Sequence, residues 1–406
     1  MFFTKHKDNK IGCLVLAIYL ICAFASVLYY QHDASDSFHE KENISLFPFI
    51  YLFAILVIAF QPLLKFKQKE IESVTAPPFE FINLFAIFLI IISIFGWIKI
   101  FPNLILAVTN TSMLENIYLE TMEAASQQIG NNLSNIGQVL CNVFSEITLF
   151  FSFYYITLKK KNKITLILLW FSSFYVIAFS FSLGLRSSIV RFVFSCLFLY
   201  IVFKPFIEKK ILKTLNKSFA IIVLLVVIAF AAITISRFAN NTYFGTTGSS
   251  FSVLSYTGQS FIYFDEYGLN SDIKQNGDNT LPLFRRILGL DASNNLVERQ
   301  EKWGNIMNIK QGVFYTFIGD FVFDFGPIFV FVAVSILSYF FVRKTKIFKK
   351  IPLHKLLILF FIFNTCVGGI FYFPYKTIGG NLSIIAYCLT YFTLWLLSKK
   401  TNEIKD

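Results

Sequence analysis

Charge is scarce in this chain: 15% of its 406 residues are Asp, Glu, Lys or Arg, whereas 56% are hydrophobic. An ordinary soluble domain carries about a quarter charged residues, so that class is excluded. Histidine occurs four times, at His6, His32, His39 and His354. The six cysteines, Cys13, Cys22, Cys141, Cys196, Cys366 and Cys388, form no CxxC pair and all fall in apolar runs. They read as small buried hydrophobes, which argues against a disulfide framework or a zinc site. No Walker loop occurs anywhere, and no DxD pair occurs in the segments assigned below to the outer face. An ATPase and a metal-dependent sugar-nucleotide transferase are therefore disfavoured, and neither a metal nor a cofactor is expected. A cleavable signal peptide is also missing: the first apolar run, 11–30, is long enough to stay as an anchor.

What is abundant is phenylalanine, 52 residues in all, together with Ile, Lys and Asn. This bias is that of an AT-rich coding sequence, not an aromatic cofactor box. The net charge of +12 is not a nucleic-acid patch, because the basic residues alternate with apolar stretches and act as topology signals. Ten runs have the length and charge flanks of membrane spans: 11–30, 44–64, 79–101, 133–158, 164–183, 188–204, 218–236, 312–342, 353–373 and 380–397. Alternate connections hold 24 of the 36 basic residues, whereas the segment 102–132 has none and carries Glu115, Glu120 and Glu123. The positive-inside rule then puts both termini in the cytoplasm. The expected fold is an all-α polytopic membrane protein. Its organisation is seven spans over 1–236, a large outer loop over 237–311 with an amphipathic helix, and three spans over 312–406.

Arginine departs from this pattern. Of seven arginines only Arg343 is inner; Arg186, Arg191, Arg237, Arg285, Arg286 and Arg299 are at or beyond the outer boundary. Drawn blindly from the basic positions, six or more outer arginines would arise in about 0.3% of cases. The planar guanidinium fork matches phosphate oxygens bidentately, so an anionic outer substrate such as a lipid-linked diphosphate is indicated. Arg186 lies in the short hairpin Gly184-Leu-Arg-Ser-Ser188, with Arg191 one turn deeper, and Arg237 stands at the mouth of the large loop. Each competes with a snorkelling role at lipid headgroups. In Leu281–Leu290, Phe284, Ile287 and Leu288 share one helical face while Arg285 and Arg286 point elsewhere, as in a helix lying on the membrane surface. Arg299, in Glu298-Arg-Gln-Glu301, is either a substrate contact or, on the simpler reading, a solvated ion pair. Asp320 and Asp324, spaced i and i+4 within the eighth span, are candidates for a general base or for pairing with arginines. Asp265 and Glu266 form a weaker pair, and Glu146 reads as satisfying a buried polar contact.

Four features together resemble a known family: the number of spans, the Gly184–Ser188 turn, the large loop entered through Ser236-Arg-Phe238, and Phe314-Tyr-Thr-Phe-Ile-Gly-Asp-Phe-Val-Phe-Asp-Phe-Gly326 leading into a late span. The chain is similar in these to the Wzy-type polymerases of O-antigen, capsule and related polysaccharides. The resemblance implies a class C-like membrane glycosyltransferase in the bacterial inner membrane. It would join polyprenyl-diphosphate-linked oligosaccharide repeat units on the outer face. Its essential outer arginines map to Arg186, Arg191 and Arg237, and less directly to Arg285 and Arg286. A chain-length regulator and a flippase of the same pathway are the implied partners. An O-antigen ligase is the first alternative, although it would be expected to use a histidine in the large loop, which has none. A flippase would show inverted repeats and short loops on both faces, and a sensor or secretion channel would need no arginine bias.

Overall fold

The computed structural model describes residues 9–32, 44–109, 136–183, 185, 187–217, 224, 228, 248–270, 272–293, 296–310, 312–345 and 349–403. Among them eight helices are long and apolar enough to cross a membrane. The expected seventh span, 218–236, lies outside the described residues, as do Arg186, Arg237 and most of the acidic connection 102–132. The chain divides into two compact units.

The first unit comprises Met1–Lys69, Asn241–Ile347 and Phe361–Asn381. It opens with helices α1 (Lys10–Tyr30) and α2 (Leu46–Leu64), both apolar runs that the sequence marks as spans. Helices α3 to α7 belong to the second unit. The first unit resumes at α8 (Gly248–Tyr267), which occupies the start of the expected outer loop. That stretch, rich in Ser and Gly, does not hang free: α8 packs along α1, where Ser26 Oγ donates to the Gly258 carbonyl at 2.6 Å. A Cβ at Gly258 would sit 2.6 Å from the Ala25 carbonyl oxygen, so the bare glycine is what admits this approach. Two short helices follow, α9 (Pro282–Ile287) and α10 (Leu296–Met307).

The expected eighth span, 312–342, is two helices, α11 (Thr316–Phe325) and α12 (Pro327–Lys344). The break has a local cause. Gly326 adopts φ +80°, a conformation open to glycine, and Pro327 then starts α12 at the position where its missing N–H is harmless. Of the two only α12 has the length and composition of a spanning helix, and Asp320 and Asp324 lie on α11, ahead of it. Tyr51 Oη donates to the Pro327 carbonyl at 2.7 Å and Ser338 Oγ to the Ile58 carbonyl at 2.6 Å, so α2 and α12 run side by side in the same direction.

The second unit comprises Glu70–Asn240, Phe348–Phe360 and Leu382–Asp406. Helices α3 (Phe79–Thr109), α4 (Ile136–Thr157), α5 (Lys163–Ser173), α6 (Tyr175–Ser182) and α7 (Ser187–Phe203) build it. The fifth expected span is α5 and α6 together, interrupted at Phe174. Gly96 lets α3 close on its neighbours: a Cβ there would lie 2.6 Å from Cys141 Sγ and 2.8 Å from Tyr175 Cε2. The abundant phenylalanine is core filling, with Phe150, Phe151, Phe153, Phe198 and Phe203 fully buried. Two three-residue strands, β1 (Ser73–Thr75) and β2 (Lys350–Pro352), pair in parallel with Val74 opposite Ile351. Helix α13 (Leu353–Gly368) follows and ends in the first unit; at 16 residues it is shorter than the expected 353–373. The last helix, α14 (Ile378–Glu403), likewise starts in the first unit and continues in the second.

Candidate functional site

The first unit gathers buried polar side chains from α9–α11, the polar stretch before them and the turn between α13 and α14. Asp324, fully buried on α11, accepts from the backbone N–H of Asn279 at 3.1 Å, from that of Thr280 at 2.7 Å, and from the Thr280 hydroxyl. Burial pushes its carboxyl up to about 6, against those three hydrogen bonds, which favour the charged form. One helical turn earlier Asp320 is engaged on both oxygens. Oδ1 accepts from Asn279 Nδ2 at 2.9 Å and from Lys376 Nζ at 3.2 Å, and Oδ2 accepts from the Phe373 N–H at 2.6 Å. The i,i+4 spacing thus holds two segments at once: Asp324 fixes the chain at 279–280, and Asp320 fixes both Asn279 and the turn at 373–376. The cationic partner of Asp320 is Lys376, not an arginine of a neighbouring span, and Asp324 forms no ion pair among the described residues.

Arg299 departs furthest from its expected setting. It is only 6% exposed, not part of a solvated pair. On α10 the period of 3.6 residues turns Arg299 and Trp303 to one face and leaves Glu298 and Glu301 on others. Its Nη1 donates to three carbonyls, those of Asp278 at 3.2 Å, Asn279 at 3.1 Å and Lys376 at 3.2 Å. Among the described residues Nε and Nη2 make no hydrogen bond, and no carboxylate forms an ion pair with the group. Burial lowers the pKa of Arg299 and of Lys376, and in both Asp320 is the main opposing influence.

Asp278 organises the loop around these groups. It accepts from the Ser293 N–H at 2.9 Å, the Ser293 hydroxyl at 2.6 Å and Trp303 Nε1 at 2.7 Å. Burial works to raise its pKa, and the hydrogen bonds from Ser293 and Trp303 outweigh that and lower it. Asn381, in the first turn of α14, donates Nδ2 to the carbonyls of Thr280 at 2.9 Å and Tyr375 at 2.7 Å, while its Oδ1 accepts the Leu283 N–H at 3.1 Å. That last contact caps α9 from outside, since an N–H in a helix's first turn has no partner within the helix.

Arg285 and Arg286 turn inward. Arg285 Nη1 donates to the Asn276 carbonyl at 2.6 Å and Nε to the Asp291 carbonyl at 2.9 Å; Arg286 Nη2 donates to the Ser293 carbonyl at 3.0 Å. They hold the loop closed, while Ile287, Leu288 and Leu290 remain exposed. Helix α9 has six residues, shorter than the surface helix expected over 281–290.

A cavity of about 50 Å³ opens beside this cluster. Arg299, Lys376, Lys310 and Asp320 bring charge to its wall; Gln275, Asn279 and Gln300 bring amides; Trp303 and Tyr315 bring aromatic faces. Asp324, Arg285 and Arg286 do not line it. Arg191, in contrast, belongs to the second unit, where its Nε lies 3.6 Å from Glu146 Oε1 and Tyr387 Oη donates to Glu146 Oε2 at 2.8 Å. The buried polar contact expected of Glu146 is therefore present.

Sequence reasoning missed Asp278, Gln275, Trp303, Lys376 and Asn381. One signal was readable: Arg299 and Trp303 stand four apart on an amphipathic helix. Lys376 had a weaker one, as a single basic residue in an aromatic turn on the face otherwise poor in lysine. No protein-family model, curated protein or solved structure matches the chain.

Proposed function

We propose that the protein is a membrane glycosyltransferase of the oligosaccharide repeat-unit polymerase class, acting on polyprenyl-diphosphate-linked saccharides at the outer face of the bacterial inner membrane. The observation that carries this reading is the cavity. Aromatic faces, three amides and charged groups around one small opening are the donor and acceptor set that recognises polyhydroxylated rings. Its walls come from the long segment after α8 and from the turn before α14, in a chain whose described residues include eight apolar helices of spanning length. A saccharide site held at the end of membrane helices fits a substrate whose sugar is tethered to a lipid.

In such a transfer a sugar hydroxyl forms a bond to the anomeric carbon of the donor chain. The bond to the lipid diphosphate breaks, and the electron pair leaves on the diphosphate. Guanidinium groups would stabilise that charge, the role that the family resemblance implies for Arg186, Arg191 and Arg237. Asp320 is the carboxylate lining the cavity and takes the part of acceptor towards the incoming hydroxyl. Asp324, Arg285 and Arg286 act as positioning residues, since their hydrogen bonds go to the chain itself.

The experiment is assembly in proteoliposomes from purified lipid-linked repeat units, followed as a chain-length ladder. The full chain should give long products. Arg186→Lys and Arg191→Lys should give mainly single units at normal protein level, because a lysine cannot reproduce the bidentate fork; loss of one such contact costs about a hundredfold in rate. Products no longer than the input units with the native protein would refute the function. Normal ladders from both lysine variants would return these arginines to a structural role. Transfer to a lipid acceptor in a single step would favour the ligase instead.

A further inference from the structure

We propose that the cavity beside Arg299 is a subsite for an acidic saccharide, one whose ring carries a carboxylate, so that the substrate class includes a uronic-acid-type unit. The proposal rests on the saccharide reading above and deepens it. Three observations point the same way.

The first is the state of Arg299. A guanidinium so deeply buried is costly to keep charged. Asp320, Asp278 and Asp324 offset this from a distance, but among the described residues no carboxylate forms a direct ion pair with it. Three of its contacts go through Nη1 alone. The edge formed by Nε and Nη2 is left without an acceptor, and that edge is the one whose parallel N–H groups fit the two oxygens of a planar carboxylate.

The second is Gln275. Its Nε2 donates to Met307 Sδ at 3.2 Å, but its Oε1 is buried with no hydrogen-bond partner among the described residues. Gln275 also lines the cavity. An orphaned acceptor of this kind calls for a donor on the occupant, and a sugar hydroxyl supplies one. An occupant that satisfies both groups must present anionic oxygens and a hydroxyl together.

The third is the balance of charge and shape. The wall carries Arg299, Lys310 and Lys376 against Asp320 alone, so it favours an anion. A volume of about 50 Å³ admits a carboxylate and part of a ring, with the remainder of the saccharide at the mouth. Trp303 is held in place by its indole N–H on Asp278 at 2.7 Å and by packing against Tyr263, Tyr315 and Phe323, with Lys302 Nζ 5.3 Å from its ring centroid, so it forms a rigid part of the wall.

The anionic oxygens of a phosphate would meet the same donors, so the test must separate the two sources. Purified full-length protein in lipid nanodiscs would be titrated with glucuronate, glucose and inorganic phosphate, and binding read by calorimetry and by saturation-transfer NMR. Glucuronate should bind at least tenfold more tightly than glucose, and phosphate should compete weakly. Arg299→Gln should erase the preference between the two sugars. Because Arg299 also ties three carbonyls, Gln275→Leu is the second variant: it removes an unsatisfied acceptor, should fold normally, and should weaken both sugars several-fold. Equal binding of glucose and glucuronate would overturn the carboxylate assignment. Phosphate binding as tightly as glucuronate and displacing it would assign the cavity to the lipid diphosphate and overturn the proposal. No binding of any probe would overturn it too. None of these readouts needs turnover, so failure here leaves the polymerase reading to be judged by its own ladder assay.

Discussion

Asn381→Ala tests whether the segment around residues 280–283 is fastened to the start of α14 as described. The native side chain satisfies three buried backbone groups: the carbonyls of Thr280 and Tyr375 and the N–H of Leu283. Alanine leaves all three without a partner, and each such group costs about 1–3 kcal/mol. Water can enter the space vacated, so the expected loss lies at the low end, about 3 kcal/mol in total. The loss is local, because the groups belong to one loop and one turn. Hydrogen exchange in nanodiscs should therefore show amides around Leu283 exchanging about a hundredfold faster, with little change in α3 or α4. Asn381→Asp sharpens the test. It keeps an acceptor for Leu283 but faces the two carbonyls with a second oxygen, so it should be at least as damaging as alanine. Unchanged protection at residues 281–284 in the alanine variant would refute the reasoning, and a well-tolerated aspartate would show that the amide is not the donor.

Other outcomes follow from the same contacts. Burial raises Asp324 from 3.8 to about 6, so between those values the folded chain binds more protons than the unfolded chain, and stability falls as pH rises through the window. The change amounts to at most about 3 kcal/mol, and thermal unfolding of Asp324→Asn should lack this slope between about pH 4 and 6. Gly258→Leu would drive a side chain into the Ala25 carbonyl and should destabilise the α1–α8 contact by about 1–3 kcal/mol or more, visible as a lower melting temperature in detergent. A chelator should leave polymerisation unaffected, an expectation from the sequence; inhibition by EDTA that Mg²⁺ or Mn²⁺ reverses would refute it.

The apolar helices were legible because twenty successive hydrophobic residues have few other uses, and α1, α2 and α4 follow the expected runs closely. Helix α8 was not, because Gly, Ser and Thr early in 248–267 carry a loop's composition; the same small residues allow its close packing on α1. The i,i+4 aspartates were visible as a pair on one face, but spacing alone does not tell a base from a fastening, and their partners lie far away along the chain. Arg299 was misread because its sequence neighbours are glutamates, whereas its spatial neighbours are carbonyls from Asp278, Asn279 and Lys376. Arg285 and Arg286 were correctly excluded from the apolar face of their segment. Their inward turn to carbonyls depends on the loop's path from Asn276 to Ser293, which no local pattern encodes.

The side-by-side run of α2 and α12 has an arithmetic consequence. Two helices that traverse a bilayer in the same sense must be separated by an odd number of other crossings. Four candidate spans are described between them: α3, α4, α5 with α6, and α7. If both helices cross a bilayer, one more passage is required between Phe203 and Pro327, an interval that also holds α8 (Gly248–Tyr267). The parallel pairing of β1 with β2 obeys the same count from the opposite end, since it brings the connection after α2 and the connection after α12 to one face. That pairing joins residues about 275 positions apart, so it can form only after most of the chain has been synthesised. The connection after α2 must wait unpaired until every helix up to α12 has been made.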